Sequence, residues 1–150
     1  MRMALEFAQR SLLAGEPPIG ACIVSDGEVV AIAGNAVIAN LDSTAHAEIL
    51  AIREACARMR KLTLENCQIY ATVEPCAMCL AACHYAGIST IVFGASLDDM
   101  QRYTGNELLA THHHIGGGET SVTLIGECLR GESLALLDEW SLQRQAGTAS

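Results

Sequence analysis

The 150-residue sequence has few aromatic residues, few positive charges and no long uninterrupted apolar run. Aromatic residues make up 4% of the chain, which leaves few rings on which single-stranded bases can stack. Lysine and arginine number 9 against 17 aspartate and glutamate residues, and phosphate binding needs clustered cations, so this balance argues against a nucleic-acid partner. No apolar stretch free of charges approaches the ~18 residues of a membrane span, so we expect no membrane partner.

Cysteine, by contrast, is abundant. Seven cysteines is an odd number, and the start of the chain has no secretory pattern, so we expect a reducing, cytoplasmic location. In that compartment, paired cysteines are more often metal ligands or core residues than disulfides. The chain is 51% apolar and long enough to bury one core, which predicts a single domain over residues 1–150.

The apolar pattern predicts helices that alternate with strands after an opening hairpin. The predicted strands are 19–24, 29–33, 67–73, 88–93 and 122–125, and the predicted helices are 1–14, 42–61, 75–86, 97–109 and 131–145. Strands that alternate with helices form a mixed sheet between two helix layers. The predicted class is therefore α/β, with a three-layer α/β/α architecture.

Two short motifs open two of these helices, and together they predict a metal site. Cys76 and Cys79 are three residues apart, so both sulfurs can lie on one helix face, and the helix dipole favours their thiolates. His46, at the start of the preceding helix, supplies an imidazole. One histidine and two cysteines give the three protein ligands of a catalytic zinc, with water in the fourth position.

Glu48, two residues after His46, is predicted to be the general acid–base catalyst. Side chains in a first helical turn lean towards the N-terminus, so its carboxylate can reach the water without entering the coordination shell. It would take a proton from the water and return it to a ring nitrogen and then to the leaving amine. This chemistry is the hydrolytic deamination of an amidine-like heterocycle.

The segments Thr44–Glu48 and Glu74–Cys79 resemble those of the cytidine deaminase-like superfamily, whose signature combines H-x-E with P-C-x-x-C. They are especially similar to the bacterial guanine deaminases and tRNA adenosine deaminases. The resemblance implies a five-stranded sheet of order 2-1-3-4-5 with helices on both faces, a zinc ion and a homodimer. It also implies substrate contacts from Asn35, Ala47 and His114, and a second catalytic acid at Glu107.

The leading hypothesis for the substrate is a small nucleobase, guanine or a related amino-heterocycle, which reacts with water and releases ammonia. The acidic composition and Glu107 favour it. The alternative is conversion of adenosine to inosine in tRNA, and deamination of cytosine or cytidine is a weaker one. A non-catalytic zinc module is a hypothesis from another class.

Several residues keep two interpretations. Asn35 is either a base-binding amide or a turn residue after Gly34, and Glu107 is either a proton shuttle or an exposed glutamate. Cys83 is either a fourth zinc ligand or a small core residue. The run His112–His114 forms either a solvated loop or a wall of the substrate pocket, and Tyr85 either lines the pocket or packs in the core.

Overall fold

The computed structural model describes residues 1–105 and 122–148, and each predicted helix and strand has a counterpart in it. The helices are α1 (Arg2–Leu13), α2 (Ala47–Met59), α3 (Ala77–Tyr85), α4 (Leu97–Thr104) and α5 (Arg130–Thr148). The strands are β1 (Gly20–Ser25), β2 (Glu28–Gly34), β3 (Cys67–Val73), β4 (Thr90–Ala95) and β5 (Thr123–Ile125). Within these ranges, no helix is long and apolar enough to cross a membrane.

The five strands form one sheet of order β2-β1-β3-β4-β5, which confirms the predicted topology. Strand β1 is antiparallel to both β2 and β3, and β3, β4 and β5 are mutually parallel along the sheet. Consequently β2, β3 and β4 all run in the same direction and end at the same edge. Ligands of open α/β sheets bind outside the carboxyl ends of the strands, so this edge is where a site is expected.

Helices cover both faces of the sheet, which confirms the three-layer architecture. Helices α2 and α3 pack against the main core, which includes Ile23, Ile69 and Ile91. Helices α1 and α5 contact each other and the other face, around smaller clusters that include Leu12 and Leu137. The single-domain assignment for residues 1–150 stays a prediction.

Helix α1 lies directly on the sheet at Gly20, the first residue of β1. A Cβ atom at this position would overlap the backbone carbonyl oxygen of Ala4, so only glycine permits the approach. Gly20 pairs with Gly34, the last residue of β2. The segment that connects α1 to β1 is thereby placed at the same edge of the sheet as the carboxyl end of β2.

Candidate metal centre and substrate cavity

The three predicted metal ligands lie at the first residues of α2 and α3. His46 and Cys76 are the N-cap residues of these helices and have extended backbone conformations, whereas Cys79 lies in the first turn of α3. Both helices therefore begin later than predicted, and the two cysteines do not share a helix face in the simple i, i+3 sense. The extended backbone at Cys76 nevertheless leaves its sulfur atom within 4.8 Å of that of Cys79.

The ligand atoms have the spacing of a zinc site. The Nδ1 atom of His46 is 3.7 Å from the Sγ of Cys76 and 3.5 Å from the Sγ of Cys79. A tetrahedral ion with ordinary Zn–N and Zn–S bonds would hold such atoms about 3.6 Å apart. All three ligand atoms lie within 4.8 Å of one another, and this trio is the candidate metal cluster in the described part of the chain. The residues present therefore fit zinc.

The two thiols differ in acidity when no ion is bound. A hydrogen bond from Cys79, together with one from His46, lowers the pKa of Cys76 to about 4. The same Cys76–Cys79 hydrogen bond and burial raise the pKa of Cys79, and the contact with Cys76 raises the pKa of His46. Cys76 is thus ready to bind as a thiolate, and a bound divalent cation would remove the remaining proton from Cys79.

Glu48 lies beside the metal ligands, and one of its two carboxylate oxygens lacks a hydrogen-bond partner among the described residues. Its side chain is 3% exposed, and burial raises the pKa of its carboxyl group to about 7. Among the described residues, no donor contacts its Oε2 atom. A buried oxygen without a partner is costly and indicates a place for water or a ligand. Glu48 therefore has the environment of an acid–base group that gains and loses a proton near neutral pH.

A cavity of about 570 Å³ opens beside His46, at the carboxyl ends of the strands. It lies within the ~300–1,000 Å³ range of small-molecule pockets. Its polar lining includes Asn35, and helices α4 and α5 contribute Met100, Thr104 and Trp140. The remaining lining residues are Gly15, Pro17, Ile19, Val37, Ile38, Ser43 and Arg144.

The predicted substrate contacts are placed in different ways. Asn35 is 5% exposed and lines the cavity. Ala47 is fully buried in the main core, which leaves only its backbone to face a substrate. Glu107 and His112–His114, including His114, lie outside the described residues.

Two open alternatives now have a structural answer. Cys83 packs in the main core, where burial raises the pKa of its thiol to about 12, so it is a core residue. Tyr85 is 85% exposed near the end of α3, so both of its predicted positions, pocket and core, were wrong.

Three residues in or beside the cavity were not among the predicted site residues. Glu16 is a buried carboxylate that contacts Asn35, and in the sequence it is the first residue of the Glu16–Pro18 turn before β1. Trp140 and Arg144 are one turn apart on α5, with the guanidinium 4.9 Å from the ring centre. A tryptophan and an arginine at i, i+4 carried a signal for pairing on a helix face. Nothing in the local sequence placed that face on the cavity.

Comparison of the sequence with known protein families and with curated proteins shows what this chain is similar to. Residues 1–95 match the family model described as the cytidine and deoxycytidylate deaminase zinc-binding region. A tRNA-specific adenosine deaminase of Aquifex aeolicus is 45% identical over 95 residues, which are 63% of each chain. That of Buchnera aphidicola subsp. Baizongia pistaciae is 33% identical over 140 residues, which cover 93% of this chain and 85% of the relative.

Solved structures of two functional kinds share the fold. One chain, from a study of A-to-I editing by tRNA:A34 deaminases, has a TM-score of 0.73 and 32% identity, covering 91% of this chain and 96% of its own. Guanine deaminase from Nitrosomonas europaea has a TM-score of 0.79 and 26% identity, covering 94% and 83% respectively.

Proposed function

The chain belongs to the family of the cytidine and deoxycytidylate deaminase zinc-binding region, and from this premise we propose that it converts adenosine to inosine in transfer RNA. As a member, it is a zinc deaminase that hydrolyses a C–N bond of a nucleobase or nucleoside. One observation carries the finer proposal: the 33% identity to a tRNA-specific adenosine deaminase extends over 93% of the chain. The relatives thus support the alternative hypothesis better than the leading one, which was a guanine-like base.

The proposed mechanism assigns roles to four residues. His46, Cys76 and Cys79 would hold zinc, which when bound supplies a Lewis acid and lowers the pKa of a coordinated water. Glu48 would accept the proton of the attacking water on its open Oε2 atom and donate it to the ring nitrogen next to the reacting carbon. The carboxylate would then take the remaining proton from the newly added hydroxyl group and pass it to the amine, so that the C–N bond breaks, the ring carbonyl forms and ammonia leaves.

The cavity suits a base presented by a longer strand. Enzymes that act on a base within a nucleic acid take that base out of its stack and into a pocket. Trp140 offers a ring in the cavity lining, and Arg144 adds a cation beside it. Aromatic rings bind neighbouring bases by stacking, and guanidinium groups bind phosphate.

The charge balance, which argued against nucleic acid, instead limits how the RNA would be held. Among the described residues, ion pairs with carboxylates engage five of the nine cationic side chains: Arg10, Arg53, Arg58, Arg102 and Arg130. With these five engaged, binding would depend mainly on the extruded base and its neighbours. We expect a weak dependence of affinity on salt, because the salt slope scales with the number of neutralised phosphates.

Deamination of guanine is the second candidate function. It is favoured by the TM-score of 0.79 to the guanine deaminase of Nitrosomonas europaea, which exceeds the 0.73 of the tRNA deaminase structure. Sequence identity favours the tRNA deaminase structure instead, at 32% against 26% for the guanine deaminase. Overall shape follows the fold shared by both kinds of enzyme, so the TM-score separates them less than sequence identity does.

A comparison of the turnover of two substrates tests the proposal. Zinc-loaded protein is incubated with an anticodon stem-loop carrying adenosine at the wobble position, and separately with guanine. We expect inosine by mass spectrometry of the digested RNA, and a guanine turnover at least about 100-fold lower in kcat/KM. The reverse ratio would establish the second candidate. Light scattering of the same sample tests the homodimer, which stays a prediction.

A further inference from the structure

Glu16, in the turn between α1 and β1, is a buried carboxylate that the mechanism leaves unused. Its side chain is 2% exposed, and within the described ranges it forms no ion pair with a cationic side chain. Its partners are N–H groups from the segment that follows β2. The Oε2 atom accepts from the backbone of Ile38 at 3.1 Å, and the Oε1 atom accepts from Ala39 at 2.6 Å.

The same carboxylate determines which way the amide of Asn35 points. The Nδ2 atom of Asn35 donates to the Oε2 of Glu16 at 3.4 Å. An ionised carboxylate can only accept hydrogen bonds, so the NH₂ group of Asn35 must face it and the carbonyl oxygen must lie on the opposite side. In the described part of the protein, that oxygen has no hydrogen-bond partner, and Asn35 lines the cavity.

The backbone of Asn35 is held from both sides. Its N–H donates to the carbonyl of Ile19 at 2.8 Å, and its carbonyl accepts from the hydroxyl of Ser11 at 3.1 Å. Rotation of the side-chain amide is therefore the main freedom left to this residue. Glu16 restricts that rotation, and through Ile38 it also restrains an apolar part of the cavity wall.

We propose that Glu16 is a positioning residue: it keeps the Asn35 carbonyl oxygen available to the cavity as an acceptor, so that the site selects substrates with an N–H or O–H donor at that point. This inference rests on the proposed function only in taking the cavity beside His46 as the place where the reacting base binds. Glu16 does not touch the substrate and acts through Asn35.

The test is a double-mutant cycle between Glu16 and Asn35. Glu16→Gln places an NH₂ group against N–H donors, so the Asn35 amide loses its fixed orientation. We expect KM to rise about 10-fold with kcat changed by less than about 3-fold. The reason is that the Asn35 carbonyl oxygen then faces the substrate donor for only part of the time. Asn35→Asp alone sets two carboxylates against each other and should raise KM similarly. Zinc content should stay unchanged in both variants.

The double variant Glu16→Gln/Asn35→Asp separates positioning from plain structural support. The introduced glutamine amide can donate to the introduced aspartate, whose other oxygen again faces the cavity, so KM should return to within about 3-fold of wild type. A purely structural role at the Ile38 and Ala39 amides predicts no such rescue, because those amides bond to Glu16 and not to the side chain of Asn35. Glu6→Gln, an exposed carboxylate on α1, is the matched control and should leave KM unchanged.

The outcomes distinguish this inference from the proposed function. Absence of inosine with wild-type protein would overturn the tRNA substrate, and the cycle would then be measured on guanine. An unchanged KM in Asn35→Asp, or no recovery in the double variant, would overturn the role of Glu16 whichever substrate is used. If Glu16→Gln does not fold, Asn35→Asp and the double variant still decide the question, since rescue of folding without rescue of KM contradicts the proposal.

Discussion

The metal site is built by two short segments at helix N-termini, whereas the cavity beside His46 is lined mainly by segments far apart in the chain. His46, Cys76 and Cys79 lie within the motifs that sequence analysis identified. The cavity lining combines the α1–β1 turn, the segment after β2, and helices α4 and α5. The difference teaches that the reaction type is encoded locally, while the choice of substrate depends on tertiary packing.

Loss of a metal ligand should remove all activity. Cys79→Ser replaces a thiolate by a hydroxyl group that binds zinc poorly, so we expect zinc to fall from about one ion per chain to almost none. Elemental analysis and the deamination assay measure both effects. Cys56→Ser is the matched control, because its thiol lies outside the metal cluster and contacts the carbonyl of Leu62. A zinc-loaded, active Cys79→Ser variant would contradict the assignment of the site.

Removal of the acid–base group should separate binding of metal from chemistry. Glu48→Gln keeps the shape of the side chain but cannot accept a proton, so we expect kcat to fall about 10²- to 10⁴-fold with zinc retained. Burial holds the pKa of the Glu48 carboxyl group at about 7 in the metal-free protein, so the buried charge opposes folding above the ordinary carboxyl pKa. Glu48→Gln should therefore raise the thermal midpoint of metal-free protein at pH 8. A lower midpoint would show that the carboxylate instead supports the fold.

Substitutions where helix α5 lines the cavity should change the affinity for RNA more than the turnover number. Arg144→Gln removes the cation beside Trp140, so we expect about 3- to 10-fold weaker binding of the anticodon stem-loop and a salt slope smaller by about 1. Fluorescence anisotropy at several salt concentrations measures both. Arg60→Gln, at the exposed C-terminus of α2, is the matched control with the same change of charge. Equal weakening in both variants would show that only net charge matters.

The smallest effect on activity is expected at the N-terminus of α4. Asp99 accepts hydrogen bonds from Ser96 at 3.0 Å and from Arg130 at 2.9 and 2.6 Å, and so joins the starts of α4 and α5. Asp99→Asn should lower the free energy of unfolding by about 1–2 kcal/mol, with kcat almost unchanged. Asp98→Asn, an exposed residue in the same turn, should have less than about half that effect.

The same contact has a defined pH dependence. The Arg130 guanidinium lowers the pKa of Asp99 to about 2. The unfolded carboxyl group titrates near ~3.9, so the contribution is complete above that value and is lost as the pH falls towards 2. Urea titrations of wild type and Asp99→Asn should therefore differ at pH 6 and converge at low pH. A difference that persists at pH 2 would mean that the ion pair is not its source.

The zinc ligands could be predicted from sequence because their signal is local. His46 and the pair Cys76 and Cys79 each open a helix after a turn, and the residue types alone specify a soft metal site. The helix starts were placed too early, since His46 and Cys76 are N-cap residues in extended conformations. The expected substrate was chosen from the acidic composition, which counts charges but does not show where they lie. Five of the nine cations are used in ion pairs, which only the structure reveals.

By itself, the sequence determined the α/β class and the metal-binding chemistry, because these depend on periodicity and on motifs a few residues long, whereas the strand order was implied by the family resemblance of those motifs. The tertiary structure alone decided that Glu16 faces Asn35 and that Trp140 and Arg144 reach the cavity. Those contacts join residues separated by 19 positions or more, and their geometry follows from how strands end at one edge and how helices pack across the sheet. No local pattern contains that information, because the free energy that brings these side chains together comes from burial of the whole core.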